Sequence, residues 1–169
     1  MYRGSGSMNK PIIDENLFEQ KYHMYAQMIK NISNTYLKSN FDSEDAVQEV
    51  FLKYLNNYHK FINKNEEYEK YWLVRVTINY CKNKLKSKKE TYLDYETIDT
   101  KELKQTSSIN DIYEKICNLS EKYKSVIILY YYEDMSVKQI SKTLKISESA
   151  VKMRLKRGRE ELQKEVKND

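Results

Sequence analysis

Between Ser147 and Arg159 the chain carries five basic side chains, Lys152, Arg154, Lys156, Arg157 and Arg159, against one acid, Glu148. Wound as a helix, this stretch turns Ala150, Val151, Leu155 and Leu162 toward a core. Glu148, Ser149, Lys152, Met153, Lys156, Arg157 and Arg159 then face outward. Such a face suits DNA. A helix fits the major groove, its first residues reach base edges, and flanking cations neutralise phosphates. The plainer alternative is a solvated basic surface on a packing helix. What favours DNA is the segment in front. Ser136 and Gln139 have capping-box spacing for a short helix with Val137, Ile140 and Leu144 inside. A turn at Lys145 and Ile146 follows, and Ser147 can cap the basic helix, which together make a helix-turn-helix layout.

Other chemistries find little support. The chain has no Gly-rich phosphate loop and no nucleophile motif. His23 and His59 stand near no cysteine, so no metal site is expected. Cys81 and Cys117 belong to no C-x-x-C pattern and are expected as reduced small hydrophobes. A non-enzyme with no cofactor and no small-molecule substrate is expected. No apolar run approaches a membrane span, and no signal peptide is expected from the N-terminal residues. Membrane insertion is therefore not expected, and a cytoplasmic location is. Residues 1–7, "MYRGSGS", read as a tag and linker remnant. The net charge of +5 is modest, so its distribution carries the argument.

The elements that must position the basic helix read as helices throughout. After Pro11 the only Gly or Pro in the 169 residues is Gly158, and tight β-turns lean on those residues. A low-GC genome would give the same bias, so periodicity must decide. Phe18, Tyr22, Tyr25, Met28 or Ile29, Ile32 and Tyr36 recur at steps of three and four. In "FDSEDAVQEVFLKYL", Ser43 can cap a helix whose apolar face is Val47, Val50, Phe51, Tyr54 and Leu55. "EEYEKYWLVRVTINYCKNKLKSKK" is a third, long helix ending in lysines. Residues 90–107 break the pattern and read as an acidic flexible linker. Helical signals resume with capping-box spacing at Ser108 and Asp111, and Ser120 can cap "EKYKSVIILYYYE". The expected fold is all-α: two small helical domains, 8–89 and 108–169, joined by the linker, the second a helix-turn-helix domain.

The sequence resembles a bacterial RNA polymerase sigma factor of the extracytoplasmic-function type. "LSEKYKSVIILYYYEDMSVKQISKTLKISESAVKMRLKRGREEL" is similar to sigma region 4, and "DSEDAVQEVFLKYL" with "YWLVRVTINYCKNKLK" to region 2. Two departures stand out. The family usually has Gly in the helix-turn-helix turn, where this chain has Lys145. A left-handed Lys costs about 1 kcal/mol or more, so a wider turn is expected. An Asp common near the end of the long helix is replaced by Asn83.

The resemblance implies a factor that binds core RNA polymerase, recognises promoter −35 and −10 elements and promotes DNA melting. Asp45, Gln48 and Glu49 would contact core polymerase, with Asp45 and Glu49 sharing a face at i, i+4. Phe61, Asn63, Tyr71, Trp72, Arg75, Asn79 and Lys82 would hold the −10 element, since aromatics stack on unstacked bases and cations hold the backbone. Core packing is the competing expectation for Phe61 and Trp72. Ser147, Glu148, Ser149, Lys152, Arg154, Lys156, Arg157 and Arg159 would meet the −35 element. By their own charge, with no alternating acids, Lys82, Lys84, Lys86, Lys88 and Lys89 read as a footprint for duplex DNA or as a solubilising helix end. An anti-sigma protein is a further expected partner. The alternative function is a conventional helix-turn-helix regulator that binds duplex DNA without polymerase.

Overall fold

A computed structural model describes residues 13–92 and 108–167. Among these residues there are seven α-helices, one 3-10 turn and no strand, so the all-α expectation is met. The leader and residues 93–107 of the expected linker lie outside the described residues. Residues 90–92, read as the start of the linker, continue the third helix.

Helices α1 (Glu15–Leu37), α2 (Asn40–Asn56) and α3 (Glu66–Tyr92) pack on one another in pairs. The link from α1 to α2 is two residues long. Lys38 is left-handed, with its N–H on the Asn34 carbonyl. Ser39 then caps α2 by accepting from the Asp42 N–H at 3.2 Å. The expected cap, Ser43, instead lies buried one turn inside the helix and donates back to the Ser39 carbonyl at 2.7 Å. Ser39 offers the same hydroxyl four residues earlier, directly after the residue that ends α1. The core is made by Ile29 and Ile32 of α1, Val50 and Tyr54 of α2, and Leu73, Val74 and Cys81 of α3. Leu55, expected with the apolar face of α2, points outward.

One charged cluster sits inside this bundle. Glu69 of α3 is 5% exposed. It accepts from the Lys21 ammonium of α1 at 2.6 Å and from the Tyr54 hydroxyl of α2 at 3.2 Å. Burial, with the Glu69 charge beside it, pushes the Tyr54 hydroxyl well above the ordinary tyrosine range, which keeps it a donor. All three helices are thus tied to one carboxylate.

The second half is α4 (Ser108–Asn118), α5 (Glu121–Tyr131), α6 (Val137–Leu144) and α7 (Glu148–Lys167). Helix α7 lies across the other three around Val126, Ile127, Leu129, Ile140 and Val151. Gly158 marks the crossing with α5, where an added Cβ would lie 3.1 Å from Ile127 Cγ1 and 3.3 Å from Tyr123 Cβ. The capping box of Ser136 and Gln139 forms, and Ser147 accepts from the Ala150 N–H. Ser120 stands at the N-cap of α5 but makes no side-chain capping bond. The turn between α6 and α7 is tight, not wide. Lys145 adopts φ 55°, ψ 47°, and the Ser141 carbonyl accepts from the N–H groups of Lys145 and Ile146. The Ser141 hydroxyl closes the turn on the Ile146 carbonyl at 2.6 Å. These bonds offset the strain that a Cβ brings to the left-handed region.

The two halves touch where α1 meets α4 and α3 meets α6. Polar bonds line this seam. Lys38 reaches Asn118 at 2.5 Å, Lys70 reaches the Glu133 carbonyl at 3.3 Å, Gln139 reaches Glu67 at 3.4 Å, and Lys82 pairs with Glu121 at 3.2 Å. Among the described residues no helix is long and apolar enough to cross a membrane.

Two stability changes follow from this packing. Glu69→Ala leaves the Lys21 ammonium only the exposed Glu66 carboxylate at 3.7 Å and the Tyr54 hydroxyl without its acceptor, and is expected to cost about 2–4 kcal/mol in denaturant unfolding, while Lys21→Met with Glu69→Met costs less than the single change. A neutral Glu69→Ala would contradict the role of the cluster. Lys145→Gly relieves a left-handed Cβ at the expense of a freer unfolded chain, for an expected net gain of about 0.5–1 kcal/mol in the same measurement.

Candidate nucleic-acid interface

Helix α7 presents its basic face as its spacing requires. Ser147, Glu148, Ser149, Lys152, Lys156, Arg157 and Arg159 are all exposed, with Met153 among them. The start of the helix carries the small and acidic side chains and the later turns carry the cations. The Arg157 guanidinium and the Lys122 ammonium hold the Tyr123 hydroxyl below the ordinary tyrosine range. Arg159 lies 3.4 Å from the Tyr131 hydroxyl. Arg154 differs from the rest. It is half-buried and turned toward α3.

The α3 residues divide. Arg75, Asn79 and Lys82 do share one face, and together with Arg154 they line a cavity of about 520 Å³ between the halves. Asn79 is exposed and Arg75 and Lys82 are half-buried. Tyr71, Trp72 and Arg75 line a second cavity of about 300 Å³ with Lys142 of α6. The Tyr71 hydroxyl donates to Glu67, and burial with that bond pushes its pKa up to about 12. Asn63 is exposed on the loop before α3. Phe61 is not available to a base. It is 3% exposed, stacked on Tyr54 at 5.0 Å and edge-on to Trp72 at 5.1 Å. Its apolar ring fills the end of the bundle, so the packing expectation replaces the stacking one. Trp72 is half-buried with one side on that cluster.

The lysine tract is not the free footprint that its sequence suggests. Lys84 bonds Asp45 at 2.6 Å and Asp42 at 3.0 Å, Lys88 bonds Asp42 at 2.7 Å, and Lys82 is paired with Glu121. Burial disfavours the Asp42 charge, but Lys88 and Lys84 outweigh it and hold the carboxyl below its usual value. Positions 84 and 88 are i, i+4 and face the start of α2, where the acids lie. The lysines thereby neutralise the protein itself.

Helix α2 also departs from expectation. Asp45 accepts from Lys84 and from the Tyr80 hydroxyl at 3.0 Å, so it anchors α3 as well as facing out. Gln48 is exposed and Glu49 half-buried. The outward ridge is richer in apolar groups than the sequence reading allowed. Phe41 is 80% exposed, Leu52 53% and Leu55 37%. Positions 41, 45, 48, 52 and 55 step by four and three, the spacing of a coiled-coil seam. That spacing was the available signal, hidden by the stronger buried stripe.

At the seam between the halves, burial pushes the Glu133 carboxyl up to about 7, with Lys70 opposing the shift and Asp134 adding to it. The folded chain therefore holds a proton here that an ordinary carboxyl near 4.5 has lost. The contribution is full below that ordinary value and is lost as pH rises through the folded one. Glu133→Gln is expected to flatten the thermal midpoint over this window. An unchanged pH slope would contradict the burial of this group.

Comparison with known proteins agrees with the geometry. Residues 22–91 match the family model "Sigma-70 region 2", and residues 109–162 match "Sigma-70, region 4". The chain is 30% identical to the ECF RNA polymerase sigma factor SigW of Bacillus subtilis over 92% of this chain and 91% of that protein. It is 26% identical to SigX of the same organism over 90% of this chain and 84% of that protein. Its fold is similar to that of the sigma factor RpoE from Bartonella quintana, solved with the anti-sigma factor NepR. The TM-score is 0.74 at 19% identity, over 90% of this chain and 98% of that one. With both regions in order along one chain and a relative at this identity over nearly its whole length, the chain belongs to the ECF family of RNA polymerase sigma factors, alternative factors of transcription initiation.

Proposed function

We propose that the chain binds core RNA polymerase along the outward ridge of α2, reads the −35 element with α7 and captures the melted −10 strand on α3. The observation that carries this reading is the ridge itself. Phe41, Gln48, Leu52 and Leu55 form a solvent-facing row on a helix whose opposite side is fully packed. An apolar row at heptad spacing calls for a helical partner, and a coiled coil on the polymerase is what the family supplies. Glu44 and Glu49 flank it with charge. On α7, Glu148, Ser149 and Lys152 lie where base edges are tested, and Lys156, Arg157 and Arg159 where phosphates are met. On α3, Arg75 and Lys82 suit the backbone and Asn79 a base edge. Tyr71 and Trp72 offer the stacking surface that Phe61 does not.

This work is favoured when the halves part, because Arg75 and Lys82 of the α3 face are half-buried in a cleft that the second half helps to line. Parting breaks exposed polar contacts worth about 0–1 kcal/mol each and also uncovers Tyr36, which packs buried under Lys124 of the second half, so polymerase binding must supply the opening. An anti-sigma protein is a further partner, as the complex of RpoE with NepR supports.

Leu52→Glu is expected to weaken binding to core polymerase by about tenfold or more while leaving the thermal midpoint unchanged. Asp45→Lys is expected to lower both, since it also loses Lys84 and Tyr80. Wild-type affinity in a folded Leu52→Glu variant would remove the ridge from the interface. On promoter DNA, Lys152→Ala is expected to alter preference at one or two base positions. Arg157→Ala is expected to weaken all promoters alike and shallow the salt dependence by about one unit of slope.

A further inference from the structure

The larger cavity between the halves brings residues proposed for two different promoter elements into one cleft, which binding to either element alone does not require. Arg75 and Lys82 reach it from α3, Lys122 from α5 and Arg154 from α7, so four cations converge on about 520 Å³. One carboxylate lines it, Glu121, and Lys82 engages it at 3.2 Å. Neither Arg75 nor Arg154 has a carboxylate partner among the described residues. The hydroxyl of Ser120, on the same wall, makes no capping bond. Like charges brought together in a cleft repel, and the repulsion grows as the walls exclude water. A closed form built this way is completed by an anion.

We propose that this cleft is a binding site for a small anion carrying adjacent phosphates, bridged between Arg75 of the first half and Arg154 of the second. The volume is that of a small-molecule site. Arginines from two different helices, α3 and α7, suit a run of phosphate oxygens better than a single carboxylate. Because the cations come from both halves, the site exists only when the halves are together. A ligand of the closed form alone shifts the population toward it. In the closed form Arg75 and Lys82 line the cleft, so a bound anion occupies the cations that the melted strand would use.

Inorganic tripolyphosphate is the probe, titrated into the full chain by calorimetry, with the distance between labelled halves followed in parallel. One anion per chain and a shortened distance are expected. Affinity is expected to fall about tenfold or more in Arg75→Ala and in Arg154→Ala, which each remove a charge-assisted contact. It stays within about twofold in Lys152→Ala, whose ammonium lies on the outer face. Several weak equivalents per chain, or equal losses in all three variants, would mean diffuse attraction to surface cations and would overturn the site. A short single-stranded DNA serves as the second arm. If it binds with the same stoichiometry and the same arginine dependence while the halves stay closed, the cleft is a nucleic-acid channel and the small-anion assignment fails.

Discussion

A carboxylate withdrawn from water where α1, α2 and α3 meet must find donors there, and Glu69 finds the Lys21 ammonium and the Tyr54 hydroxyl. Both working surfaces of the first half hang on this point. The side of α2 that carries Tyr54 fixes which side of the helix is left for Phe41, Leu52 and Leu55. The same bond sets the rotation of α3, and so the direction of Arg75, Asn79 and Lys82. A purely apolar core would tolerate small rotations of either helix. Donors of fixed length on two different helices do not.

Charge is then distributed so that each half keeps one usable face. The lysines at the end of α3 are neutralised by Asp42 and Asp45, which also bind the start of α2 to that end. The acids of α2 do internal work as well as facing outward. Among the described residues, cations without a carboxylate partner include those on the outer side of α7 and, in the cleft, Arg75 and Arg154. The seam between the halves is polar at its rim and holds Glu133 with its pKa near 7. Behind that rim Tyr36 of the first half packs buried against Lys124 of the second. Opening the halves therefore needs a partner that binds the open form better than the closed one.

Much of this was legible in the sequence because it is local. The capping box of Ser136 and Gln139, the cap at Ser147 and the buried stripe from Tyr25 to Tyr36 depend on residues three or four apart. The basic face of α7 follows from the same period. The errors have another origin. Ser39 and Ser43 carry the same hydroxyl, and only the left-handed Lys38 before Ser39 decides which one caps. The tract from Lys82 to Lys88 reads as free cations because its acids lie about forty positions earlier. Phe61 could be core or stacking surface by type alone, and its ring contact with Tyr54 decides. The wider turn inferred at Lys145 underestimated what three hydrogen bonds through Ser141 can hold. The placement of one half against the other, and hence the shared cleft, depends on contacts between distant segments.

A chain that directs polymerase to promoters is distinguished from one that acts on duplex DNA alone by transcription in vitro from a promoter library, with core polymerase supplied with and without the chain. Transcripts with discrete starts are expected only when the chain is present, from templates sharing two spaced elements, with no specific footprint of the chain alone. A specific duplex footprint by the free chain, with no chain-dependent transcript from any template, would contradict the role with polymerase.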